Sequence, residues 1–190
     1  MAEGRRGSSS SRRKLGWEDY LALPEDRNRY EILDGKLAVT ASPYVQHQRV
    51  SRNLARALME YVDQTGCGEL LAAPVDVVLD AHTIVVPDLL FVAKGRESIV
   101  HEHAILGPPD LLVEILSPST ARRDRTVKLR LYARFGVACY WIVDPAAREL
   151  FAFELAGDSA YAPARVLRGD ARETLPVPRG FEIDLSRIWA

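Results

Sequence analysis

The stretch Leu111-Leu112-Val113-Glu114-Ile115-Leu116 sets the terms for everything around it. Five aliphatic residues in six positions read as a strand buried on both faces, the kind found inside an α/β sheet. A carboxylate in its middle runs against that reading. An isolated buried charge costs several kcal/mol even after the protein relaxes. Glu114 therefore needs compensation from a proton, a cationic side chain or a metal ion.

A second acid raises the same problem. Residues 83–93, TIVVPDLLFVA, form another apolar strand with Asp88 directly after Pro87. Proline lacks an N–H and enters a sheet only at an edge, a bulge or a strand start. Pro87 thus marks an irregularity that turns Asp88 sideways. If the two strands are neighbours, both acids converge on one cation; the alternative pairs each acid with an arginine. The natural shared ion is Mg²⁺, which prefers oxygen ligands and often uses one or two carboxylates with a substrate phosphate.

The predicted elements on either side supply further candidates. Trp17–Leu23 reads as a short helix, and YEILDGKLAVT as a hairpin turned at Asp34-Gly35. Ser42 and Pro43 read as the N-cap and first position of a helix. Its apolar stripe is Val50, Leu54, Ala57, Leu58, Tyr61 and Val62, with Gly66 as its stop. Segments GELLAA and VDVVLD read as strands, and residues 95–107 as a loop with a helical turn. After Ser117-Pro118-Ser119-Thr120, a helix is predicted over 124–135, with Leu129, Tyr132 and Ala133 inward and Gly136 as its stop. ACYWIVD is a further strand, and ELFAFEL, YAPARVL and GFEIDL read as antiparallel strands. The order predicts one α/β domain over 15–190, a mixed sheet flanked by helices.

On the predicted helix after Glu114, Lys128 follows Asp124 by four residues. It either pairs with Asp124 in solvent or reaches a phosphate or metal-bound water near the sheet end. Glu31 is either an outward strand residue or an acid at the site edge. Alternation places Asp76 on the face opposite Val75 and Val77. His47, near the helix start, is either a surface histidine or a group facing a cleft. His101 and His103 have no third ligand at zinc-site spacing. Cys67 and Cys139 are too few for a disulfide framework and read as free thiols.

Bulk properties exclude other classes. At 47% hydrophobic and 27% charged, the 190-residue chain is globular in composition. No apolar run approaches the roughly 20 residues that cross a bilayer, so no membrane partner is expected. No hydrophobic signal core follows the N-terminus, which predicts a cytoplasmic location. Residues 1–14 carry five Lys/Arg and one Glu while the whole chain sums to −1. They are read as a disordered basic tail on an acidic body.

The motifs YEILDG, SPYVQHQ, VPDLLFV, VEILSPSTARRDRTVKLRLYARFGV and YWIVDP together resemble the Uma-two-type restriction endonuclease family, a bacterial branch of the PD-(D/E)XK nuclease superfamily. The resemblance runs from about Tyr30 to Pro145. It implies a restriction-endonuclease-like core with extra antiparallel C-terminal strands, and Mg²⁺- or Mn²⁺-dependent hydrolysis of DNA. Pro87-Asp88 matches the PD element and Glu114 the acid of the second element. The lysine normally two residues on is replaced by Leu116, and the resemblance implies that Lys128 supplies its charge. Asp88, Glu114 and the Ile115 carbonyl would ligate the metal, with Lys128 orienting the attacking water. Glu31, His47 and Asp124 are accessory candidates. DNA, the divalent ion and a second copy of the chain, as a homodimer, are the expected partners. A nuclease fold retained as a non-catalytic binding module is the alternative.

Overall fold

The computed structural model describes residues 13–42 and 44–189. Most of the basic tail, residues 1–12, and Pro43 lie outside the described residues. The last two tail residues are not loose: Arg13 Nη1 lies 3.0 Å from Asp19, and Lys14 Nζ 2.7 Å from Asp34.

A short helix α1 (Trp17–Leu21) precedes the hairpin β1 (Arg29–Leu33) and β2 (Lys36–Thr40). Asp34 and Gly35 both have positive φ, as the tight two-residue turn requires. Helix α2 (Val45–Thr65) follows. Its N-cap is Tyr44, with no side-chain cap bond, so the expected Ser42 cap is displaced by two residues. Its C-terminal Gly66 is left-handed at φ 60°, as predicted.

Strands β3 (Gly68–Ala72), β4 (Val77–Asp80), β5 (Thr83–Val85), β6 (Leu89–Ala93), β7 (Ile105–Leu106) and β8 (Leu111–Ile115) come next. A helical segment then runs through α3 (Ala121–Arg123), a π-helical turn (Asp124–Lys128) and α4 (Leu129–Arg134). The chain ends with β9 (Cys139–Asp144), β10 (Glu149–Glu154), β11 (Arg165–Arg168), β12 (Arg172–Leu175) and β13 (Phe181–Asp184). One sheet has the order β2-β1-β5-β4-β7 and the other β11-β10-β9-β8-β6-β3, with β12 and β13 as a separate pair. Both larger sheets are mixed: β8 and β9 pair in parallel, as do β4 and β7.

The segment read as one strand over 83–93 is two. β5 belongs to the first sheet and β6 to the second, and the chain changes sheet at Val86-Pro87-Asp88. Proline at that corner gives up no ladder hydrogen bond. The corner carries Asp88 to the point where the two sheets meet.

The central strand of the second sheet is buried on both faces, as its sequence demands. Leu111, Val113 and Ile115 join Val50, Leu54, Leu58 and Val62 of α2 in one core cluster. Leu112 and Leu116 join Leu33, Val85, Leu131 and Tyr132 in the other. Alternation puts Glu114 on the side of Leu112 and Leu116, facing the first sheet and the helical segment.

Gly68 opens β3, paired to Ala93 of β6, and a Cβ there would run into the Val92 carbonyl oxygen. The obstacle is backbone in a paired strand and cannot swing away. Gly68→Ala is therefore expected to cost about 1–3 kcal/mol, the range for overpacking. At about 2–4 °C per kcal/mol for a chain of this size, thermal unfolding should fall by roughly 2–12 °C.

Candidate active site

The β6–β8 ladder positions the first acid. Leu89 stands opposite Val113, and the Asp88 N–H donates to the Val113 carbonyl at 3.1 Å. Carried one step beyond its last pair, that register sets Asp88 opposite Glu114 at the strand end. The Ile115 N–H donates to Asp88 Oδ2 at 2.8 Å. His47 Nε2, from the first turns of α2, lies 3.1 Å from the same oxygen. Arg29 Nη1 lies 2.8 Å from Asp88 Oδ1 and also donates to the Val86 carbonyl at 3.2 Å. Burial pushes the Asp88 carboxyl up, but the hydrogen bond and charge of His47, with Arg29 and the Ile115 N–H, outweigh it and bring it down to about 2. Asp88 is therefore ionised at neutral pH. An ionised carboxylate only accepts, so His47 carries its proton on Nε2.

The second acid has different partners. Lys128 Nζ and the Tyr132 hydroxyl both bond Glu114 Oε1 at 2.7 Å. Lys128 Nζ also lies 2.7 Å from Glu31 Oε1 and 3.9 Å from Asp124 Oδ1. Glu31 Oε1 accepts the Val86 N–H at 3.0 Å, and its Oε2 lies 3.6 Å from Arg123. Lys128 is only 1% exposed, as is Glu31. Burial pushes Glu114 up to about 8; Lys128 opposes that, and Asp124, Glu31 and Asp88 add to it. Burial opposes the charge on Lys128, yet Glu114, Glu31 and Asp124 hold its pKa above the ordinary lysine value. Lys128 stays charged. One ammonium thus faces three buried carboxyl groups, Glu31, Glu114 and Asp124.

Local sequence explains the convergence. Arg29 and Glu31 are two apart on β1 and share one face. Asp124, Lys128 and Tyr132 recur every fourth residue and line one side of the helical segment. The π turn occupies 124–128, the irregularity often found at functional sites. Leu129, expected inward, is half-buried, while Asp124 and Lys128 take the buried positions.

Of the two readings of Lys128, the solvent-exposed one is overturned: its side chain reaches the sheet end. Glu31 is not an outward strand residue, and His47 is buried rather than a surface group. Asp76 is half-buried on the cleft side and accepts the Tyr20 hydroxyl at 2.6 Å. Arg29, Arg123 and Tyr132 join the site without being expected from the sequence. The two-residue spacing from Arg29 to Glu31 was the available signal for the first. The helical pattern gives Tyr132 only an inward apolar place.

These groups line a cleft of about 360 Å³, which holds Arg29, Glu31, His47, Asp88, Glu114 and Lys128 in its wall. No helix among the described residues is long and apolar enough to cross a membrane.

Comparison with known proteins agrees with the architecture. A Synechocystis sp. (strain ATCC 27184 / PCC 6803 / Kazusa) protein named "Uncharacterized protein slr1290" is 25% identical over 175 residues, covering 90% of each chain. A crystal structure from Anabaena variabilis ATCC 29413, titled as "a putative nuclease belonging to DUF820", superposes with a TM-score of 0.76. It covers 92% of this chain and 97% of its own at 18% identity, which establishes a shared fold. The extra antiparallel strands at the C-terminus are present as expected. Residues 17–186 match the family model "Uma2: Putative restriction endonuclease". By that match, spanning nearly the whole chain, the protein belongs to the Uma2 family.

Proposed function

We propose that this protein is a divalent-metal-dependent endonuclease that hydrolyses DNA phosphodiester bonds. The observation that supports the reading is the adjacency of Asp88 and Glu114 at the end of paired strands, with a buried lysine 2.7 Å from the second acid. Family membership points the same way, as does the nuclease title of the Anabaena protein.

The residues present fit a hard divalent ion. Both hydrogen bonds to Glu114 fall on Oε1. Glu31 Oε2 and Asp124 Oδ1 are buried without a hydrogen-bond partner. The cluster sets three carboxyl groups against the ammonium of Lys128, with Arg123 3.6 Å from Glu31 Oε2. Among the described residues no three His, Cys, Asp or Glu side chains form a ready-made cage. Mg²⁺ needs none, because it retains several waters and takes one or two carboxylates. Asp88, Glu114 and the Ile115 carbonyl are the ligands in this reading. A bound ion would polarise a phosphoryl oxygen and lower the pKa of a water.

The chain's own groups do the rest. Lys128, fixed between Glu31 and Glu114, is a permanent positive charge beside the reacting phosphate rather than a proton shuttle. Tyr132 and Lys128 hold the Glu114 carboxylate in one orientation, as His47 and the Ile115 N–H hold Asp88. Arg123 and Arg27, in the cleft wall, suit phosphate oxygens.

One observation favours the alternative of a non-catalytic binding module: Asp88 and Glu114 each already have a cationic partner. Incubating supercoiled plasmid with pure protein separates the two. The endonuclease nicks it with Mg²⁺ and not with EDTA. Salt-sensitive DNA binding with no cleavage at any Mg²⁺ or Mn²⁺ concentration would establish the module instead.

A further inference from the structure

Asp88 is more fully engaged than Glu114, with a donor on each of its two oxygens and one lone pair of Oδ1 left open. Oδ2 takes two donors, the Ile115 N–H and His47, and Oδ1 takes Arg29. A metal ion at this carboxylate would compete with these donors for its oxygens, and a charged donor would repel it. The Ile115 N–H is part of a buried strand, and His47 is buried on α2. Arg29 is the partner best placed to leave: its side chain is 25% exposed and reaches in from the cleft wall. Its second anchor, the Val86 carbonyl at 3.2 Å, does not depend on Asp88. Its charge also feels Glu114 and Glu31, so it sits where a divalent cation would be drawn.

We propose that Arg29 is a displaceable counter-ion, which occupies Asp88 while the metal is away and is released into the cleft to bind a DNA phosphate when the metal takes the carboxylate. The inference rests on the metal-site reading above. It explains why a hard-metal carboxylate carries a guanidinium at 2.8 Å. A guanidinium and a divalent ion repel each other and compete for one oxygen. Once freed, the planar donor fork of arginine suits a phosphate better than a lysine would. The exchange couples the two ligands: metal binding readies the phosphate contact, and DNA that draws Arg29 away favours the metal.

The test is Mn²⁺ binding by electron paramagnetic resonance on wild type, Arg29→Ala, Arg29→Lys and Asp88→Ala, with duplex DNA binding measured in Ca²⁺. Arg29→Ala should bind Mn²⁺ about tenfold more tightly, equal to about 1.4 kcal/mol, and DNA more weakly. Arg29→Lys, which keeps the charge, should lie between it and wild type in both assays and guards against a folding defect in the alanine variant. If Arg29→Ala binds Mn²⁺ no better than wild type while Asp88→Ala abolishes binding, the counter-ion role is wrong and the metal site stands. If Asp88→Ala binds Mn²⁺ as wild type does, the metal site falls and the inference with it.

Discussion

Asp88→Asn is expected to slow Mg²⁺-dependent nicking of supercoiled DNA at least about a hundredfold, the upper end of the effect of losing even an outer partner of a metal. The substitution is isosteric, removes the charge and replaces one acceptor oxygen with an NH₂ donor. The side-chain carbonyl can still accept one of the bonds from Arg29 or the Ile115 N–H, so far-ultraviolet circular dichroism should be unchanged. Glu114→Gln should match that loss, because the proposal gives both acids to one ion and neither alone holds it. The two losses should also be non-additive: the double variant should be no slower than the slower single one. A single variant that cuts at the wild-type rate removes its residue from the mechanism.

Lys128→Met should have the largest effect on stability. The lysine is buried and bonded to Glu114 and Glu31 at 2.7 Å. Methionine matches its stem and leaves Glu31, Glu114 and Asp124 facing one another in the interior. Breaking a buried pair from one side costs about 3–5 kcal/mol, because the remaining charge is uncompensated. Thermal unfolding in EDTA should then fall by roughly 6–20 °C. Lys128→Met combined with Glu114→Gln removes one of the stranded acids and should lose less than the single lysine variant. Unchanged melting for Lys128→Met would mean that the lysine is solvated, and that the cluster does not hold the strand end together.

The sequence made the two carboxylates legible because each interrupts an apolar run, and burial of a charge is costly enough to demand a reason. The continuous apolar run marked β8 as a strand buried on both faces, and the left-handed Gly66 ended α2 where expected. Other features were hidden for physical reasons. The break between β5 and β6 looks like one strand, because Pro87 sits inside continuous hydrophobicity and only long-range pairing shows that the chain changes sheet. Lys128 was ambiguous because a lysine at i+4 from an aspartate is common on solvated helices. Its burial depends on Glu31, contributed by a strand nearly a hundred residues earlier. Arg29 has only its two-residue spacing from Glu31 as a signal for the same reason: its partner lies 59 positions away. The Ser42 cap failed because local propensity names a good cap residue without fixing which peptide begins the helix.

The most direct test of the central claim, that Asp88 and Glu114 share one divalent ion, is a calorimetric titration of metal-free protein with Mn²⁺. The account predicts one ion per chain, with binding lost in Asp88→Asn and lost equally in Glu114→Gln. Binding that survives either substitution at wild-type affinity and stoichiometry would contradict it.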